Sequence, residues 1–225
     1  VTAAARAEAL YARVRSCTRC SLAQTRTLAV PGEGPLDAEV MFIGEAPGAN
    51  EDRQGRPFVG QAGQFLGELL AAAGLAREDV YICNVLKCRP PGNRDPLPAE
   101  IEACRDYLDE QIDLVDPLMI VTLGRFSMAR FFPGEAISRI HGRPRLIGAR
   151  LYVPMYHPAA ALHQQSLRPV MFEDFARLPR FLQRMHERMA AAAGPQGGPP
   201  SPPAGTVAQA RPPAAEGPVQ IRLFD

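Results

Sequence analysis

Long apolar runs are missing from this sequence. No stretch of its 225 residues approaches the ~20 consecutive apolar residues that cross a bilayer. The start also lacks the basic-then-apolar pattern of a secretory signal. No membrane partner is therefore expected, and the cytoplasm is the expected compartment. A charge excess is missing as well. The net charge is only +1, so any surface for a polyanion must be a local patch rather than a basic face. Cysteine is sparse and odd in number: Cys17, Cys20, Cys83, Cys88 and Cys104. Without an export signal a disulfide framework is not expected, which moves metal or cluster ligation forward. What is present is ordinary for one sizeable core, 46% hydrophobic and 22% charged residues, and the expected layout is one domain plus a tail.

Strand and helix signals alternate along the first 189 residues. Residues 3–14 read as a helix leading into a Cys-Thr-Arg-Cys turn, and Val40 to Ile43 as a buried strand stopped by Gly44 and the Pro47-Gly48 turn. A helix follows over 61–73, then a strand over 80–85, a proline-rich loop over 89–98 and a helix over 99–114. Residues 118–123 and 151–155 supply two more apolar strands, the former followed by Gly124 and a short helix. Continuous apolar strands separated by helices give an α/β fold: a three-layer αβα sandwich around a central four-stranded parallel sheet. Ligands of such sheets gather at the carboxyl ends of the strands, where GEAP, NVLK, LGR and YHPA all fall. From residue 190 to 219 the composition turns to Ala, Gly, Pro and Gln, too poor in apolar groups to offset ordering entropy, and disorder is expected. Residues 220–225 become apolar again.

Cys17 and Cys20 form a CxxC pair, with Cys88 and Cys104 further along. Four thiolates suit either a [4Fe-4S] cluster or a tetrahedral zinc, and spacing alone leaves both open. Cys83, inside an apolar strand, reads as a core thiol. The loop from Gly44 through Glu45 and Ala46 to Gly48, followed by Glu51 and Asp52, sets carboxylates and free backbone amides after the first strand, and the carboxylates argue against a phosphate ligand. Asn84 closes the second strand, where an amide can read a base edge or cap a turn. Asn93 has the same two readings. His157 follows the fourth strand.

Together and in order, GEAPGANED (44–52), GRPFVG (55–60), NVLKCRPPGNR (84–94), LG (123–124) and HPAAAL (157–162) resemble the family 4, iron–sulfur uracil-DNA glycosylases of thermophile type, over roughly residues 8–186. The resemblance implies hydrolysis of the N-glycosidic bond of uracil in single- and double-stranded DNA, the first step of base excision repair. It makes Cys17, Cys20, Cys88 and Cys104 the ligands of a [4Fe-4S] cluster and reduces zinc to the minor reading. Breaking the bond builds positive charge on the sugar and negative charge on the base, so a site needs an anion stabiliser, a held water and a pocket for the flipped nucleotide. By resemblance Glu51, with Asn93, positions the water; Phe58 stacks on uracil; Asn84 reads its amide edge; His157 hydrogen-bonds O2. Glu45 orients the site, and Gly44 and Ala46 line the base pocket. The segment from Ala159 to Ser166 enters the helix with Leu162 as a wedge, and Arg139, His141, Arg143, Arg145 and Arg168 supply contacts on the same rim.

Two departures bear on this expectation. A related class has GEQPG and a longer basic loop ending in His, and traps uracil-DNA covalently; Ala46 and the short Ser138-Arg139-Ile140-His141-Gly142 loop favour ordinary turnover. A module that only binds DNA would not require Glu51, Asn84, Asn93 and His157 together. The end of the chain, Gln220, Ile221, Arg222, Leu223 and Phe224, resembles the peptide by which bacterial repair and replication proteins dock on the DNA sliding clamp, with the preceding segment as tether. A monomer is expected.

Overall fold

The computed structural model describes residues 2–193. The sheet is built from β1 (Val40–Gly44), β2 (Tyr81–Asn84), β3 (Met119–Leu123), β4 (Arg145–Ile147) and β5 (Arg150–Met155), in the spatial order β2-β1-β3-β5-β4. Four strands are parallel, as the apolar runs imply. The fifth, β4, pairs antiparallel with β5 and adds an edge strand to the expected four-stranded parallel sheet. It is only three residues long and partly exposed, so it leaves no apolar run in the sequence.

The parallel strands are buried, apart from the half-buried Arg150 that opens β5, because both faces are covered. Phe42, Ile82, Val121 and Val153 point to one face. They pack against α3 (Gln61–Ala72), α7 (Pro158–His163), α8 (Leu167–Ala176) and α9 (Leu178–Ala193), through residues such as Leu66, Ala161, Phe175 and Phe181. Met41, Cys83, Ile120 and Tyr152 point to the other. They meet α4 (Pro98–Val115), α5 (Arg125–Ala129) and α6 (Ile137–Ile140), through Leu108, Ile112, Met128 and Ile140. The period of two along each strand thus assigns alternate residues to the two layers. Outside the second layer, α1 (Ala3–Arg15) lays Leu10 and Val14 in a further core patch with Cys104 and Tyr107 of α4.

Helix α1 starts at Thr2, whose hydroxyl accepts the Ala5 N–H at 3.2 Å, and ends on Arg13 and Arg15, favourable at the negative helix terminus. Helix α4 starts at Pro98, with the Glu100 carboxylate reaching back to the Leu97 N–H at 2.9 Å. Another short helix, α2 (Ala49–Gln54), occupies the second half of GEAPGANED. Helix α9 runs to Ala193, beyond the domain end read at 189. The rest of the 190–219 linker and the 220–225 peptide lie outside the described residues. Among the described residues no helix is long and apolar enough to cross a membrane.

In this strand order the chain moves outward from β1 in both directions, so β1 and β3 flank the switch point of the sheet. A crevice opens there at the carboxyl ends. The segments after Gly44, Asn84, Leu123 and Met155 all emerge on that edge.

Candidate active site and cysteine pocket

Gly44 ends β1 directly opposite Asn84 on β2. A methyl group on Gly44 would run into the Asn84 side-chain oxygen and come within 2.6 Å of Cζ of Phe58, so the three residues form one wall in which only glycine fits. Asn84 is buried, yet its Oδ1 has no hydrogen-bond partner. Nearly all buried polar atoms are paired, and one left open at a strand end is a place for a ligand.

Phe58 lies in that wall in a left-handed backbone conformation, φ 50°, which an aromatic residue adopts only when its surroundings enforce it. The enforcement is visible. Glu51, on α2, accepts N–H bonds from Val59 and Gly60 at 2.8 Å each through Oε1, and from Gly48 at 3.1 Å through Oε2. Arg77 donates to the carbonyls of Phe58 and Pro57 at 3.1 and 2.6 Å and is itself held by Glu33 at 2.7 Å. Asp52, beside Glu51, clamps the chain elsewhere by accepting the Thr27 N–H at 2.9 Å.

His157 stacks on Phe58, with ring centroids 5.6 Å apart and planes 30° from parallel. It caps α7: Nδ1 accepts the Ala159 N–H at 3.1 Å. That bond leaves the ring proton on Nε2. Enclosure by protein pushes the imidazole pKa down to about 4 against the opposing pull of Glu51, so at neutral pH His157 is an uncharged donor through Nε2. Gly124, at φ 88°, passes directly beneath; a Cβ there would sit 3.0 Å from that of His157.

Glu45 stands on the same edge of the sheet. Burial raises its carboxyl pKa, Asp95 adds to the shift, and Arg125 opposes it. Arg125 is ion-paired with Asp95. Asn93 is not in this group: it is exposed at φ 55°, with its Oδ1 held by Arg89 at 2.8 Å. Ala46 packs with the patch that contains Leu22 and Cys88 rather than with Phe58.

On the rim, Leu162 at the end of α7 is 39% exposed. Arg139 and Arg143 are exposed and make no ion pair among the described residues, whereas Arg145 is tied to Glu135 and Arg168 to Glu68, each at 2.8 Å. His141 is anchored at 2.6 Å through Nδ1 to the buried Asp174, which also holds Arg177, and its ring lies 4.7 Å from that of Tyr156. Gly124 and Arg77 were not among the site residues read from the sequence. The LG dipeptide was the signal for the first, and the second left none.

The four cysteines meet. Cys17, Cys20, Cys88 and Cys104 line one pocket together with Arg19, Arg26, Lys87 and Tyr107, and all are free thiols. Cys83 is fully buried away from this ring in the second sheet layer, as a core thiol should be. Burial pushes the Cys88 thiol up to about 11, although Arg26 donates to its sulfur at 3.0 Å. Among the described residues no three of Cys, His, Asp or Glu converge tightly enough for a single metal ion. Lys87 is 1% exposed, donates to two neutral acceptors, the Asn84 carbonyl at 2.6 Å and Gln111 Oε1 at 2.5 Å, and makes no ion pair among the described residues. Burial lowers the Lys87 pKa, and Arg130 adds to that shift, while the thiols of Cys83, Cys104 and Cys88 oppose it.

Residues 31–178 match the family described as Uracil DNA glycosylase superfamily. The chain is also 49% identical over 181 residues to a type-4 uracil-DNA glycosylase of Sulfurisphaera tokodaii, a match covering 76% of this chain and 82% of that one. The chain belongs to the uracil-DNA glycosylase superfamily, in its type-4 branch. Type-4 uracil-DNA glycosylases of Thermotoga maritima (44% over 182 residues, 79% of this chain and 95% of the relative) and Archaeoglobus fulgidus (48% over 174 residues, 73% and 87%) agree.

Proposed function

We propose that the protein hydrolyses the N-glycosidic bond of uracil in DNA and leaves an abasic site. The observation that carries this reading is the open, buried Oδ1 of Asn84 beside the Phe58 ring. Uracil offers an N–H at N3 to such an acceptor and an oxygen at O4 to the amide N–H₂, whereas cytosine reverses both groups. Phe58 supplies a stacking face, and neutral His157 directs Nε2–H at O2, where negative charge grows as the base departs.

The water belongs to Glu45. Three backbone amides already occupy the Glu51 carboxylate, which makes Glu51 the scaffold of the Phe58 loop, while the Glu45 carboxylate has no hydrogen-bond partner among the described residues and a basicity raised by burial. Asn93 reaches the site only by leaving Arg89. On the DNA side, Leu162 fills the gap left by the flipped nucleotide, and Arg139 and Arg143 are free to meet phosphates. His141, tied to Asp174, holds its loop in place and is not assigned a covalent role.

Cys17, Cys20, Cys88 and Cys104 would hold a [4Fe-4S] cluster. Their arrangement as a ring around a pocket, wider than one ion requires, fits that group, as does the unpaired Lys87 ammonium. When bound, the cluster supplies a cross-link between distant chain segments and the anion that Lys87 lacks. Cytoplasmic location, a monomeric state and docking of Gln220, Ile221, Leu223 and Phe224 on a sliding clamp belong to the same reading, although the docking peptide lies outside the described residues.

The test is uracil release from single- and double-stranded oligonucleotides. Product with uracil and none with cytosine is the expected result. DNA binding without any abasic product would leave only a binding module, and a gel-stable adduct lost in His141→Ala would point to the covalent class.

A further inference from the structure

Lys87 has a position that uracil excision alone does not require. Lys87 is buried and is one of the residues that line the four-cysteine pocket, its backbone bonds Cys104, and its Nζ lies 2.6 Å from the main-chain carbonyl of Asn84. Gln111 takes the second Lys87 bond at 2.5 Å and is itself fixed through its amide nitrogen to Pro31 O at 2.6 Å and the Tyr81 hydroxyl at 2.9 Å. Tyr81 in turn meets the Tyr11 hydroxyl at 2.9 Å. Helix α1, which leads into Cys17, is thereby joined by side-chain hydrogen bonds to the strand end that carries Asn84.

We propose that Lys87 is a positioning residue that couples the cysteine-held group to recognition of the base, an inference that rests on the glycosylase reading above. The anionic group in the pocket holds the ammonium, and the ammonium holds the Asn84 carbonyl. Asn84 is in register with Gly44, with no room for even a methyl group between its amide and Phe58, so a small movement of its backbone shifts the amide against the ring. Disturbing the pocket therefore degrades base recognition without touching His157 or Glu45.

The experiment compares the iron-loaded wild type with Lys87→Met and Lys87→Arg. Three quantities are read: the rate of iron loss to a chelator by visible absorbance, KM and kcat on a uracil oligonucleotide, and inhibition by free uracil. Lys87→Met is expected to lose iron about tenfold faster and to raise both KM and the uracil inhibition constant about tenfold, with kcat changed less than about threefold, the scale of one lost hydrogen bond to a charged group. Lys87→Arg keeps the charge but not the reach. It should lose iron near the wild-type rate and still raise KM. A wild-type KM in either variant overturns the coupling, as does wild-type iron loss in Lys87→Met, and a lowered melting temperature with unchanged KM would mean that Lys87 only supports the fold. Should Lys87→Met not fold, Lys87→Arg decides through KM. Absence of uracil release by the wild type itself would instead remove the glycosylase reading, with iron loss still judging whether Lys87 serves the pocket.

Discussion

Leaving the Asn84 oxygen buried and unpaired costs the folded protein about 1–3 kcal/mol, a penalty that a ligand removes. Asn84→Ala is therefore expected to keep or slightly raise the melting temperature while uracil release falls by about a hundredfold or more, measured as kcat/KM on one oligonucleotide. His157 gives a prediction with a sign. Its folded pKa of about 4 lies below the ordinary 6.5, so between these values the unfolded chain binds a proton that the folded chain refuses. Stability is complete above about pH 6.5 and falls by about 3 kcal/mol as the pH drops towards 4. Urea unfolding at pH 7 and pH 4.5 should show this loss, smaller in His157→Gln, and the ring should titrate near 4 by NMR. Asn84 and His157 could be picked out in the sequence because each sits in a short motif at the end of or just after an apolar strand, and Phe58 because it lies in the GRPFVG segment. The duty of Glu51 was not, because the amides that occupy it come from Gly48, Val59 and Gly60, brought together only by folding.

At the scale of elements, four apolar strands and their helices could be read from periodicity, whereas β4 could not: a three-residue edge strand, partly exposed, has neither the length nor the pattern. The turns are more exacting than the strands. Gly124 takes φ 88° between β3 and α5 with the His157 Cβ close above it. With ψ at 178° this conformation is essentially confined to glycine, so Gly124→Ala adds backbone strain of about 1–3 kcal/mol and pushes on the cap of α7. It is expected to lower the melting temperature by several degrees and kcat by about tenfold, with KM affected less, because the stacking wall of Phe58 is held independently by Glu51 and Arg77.

For the whole molecule, the cysteine pocket joins the end of α1, the turn after β2 and the middle of α4. Cys104→Ser should lower iron content below the roughly four atoms per chain of a [4Fe-4S] protein and loosen α1 first, which hydrogen exchange would register in residues 3–15 before the sheet. The convergence of these four cysteines came from the family resemblance and not from their spacing, since nothing in a spacing states that α1 folds back onto α4. That convergence also sets an order on biosynthesis. The first two thiols leave the ribosome long before Cys104 does, so a nascent chain offers at most an incomplete set until α4 has emerged. The full ligand set of the proposed cluster exists only in a chain that has already made the central strands β1 and β2, and a stalled or truncated product would carry its thiols open to oxidation instead.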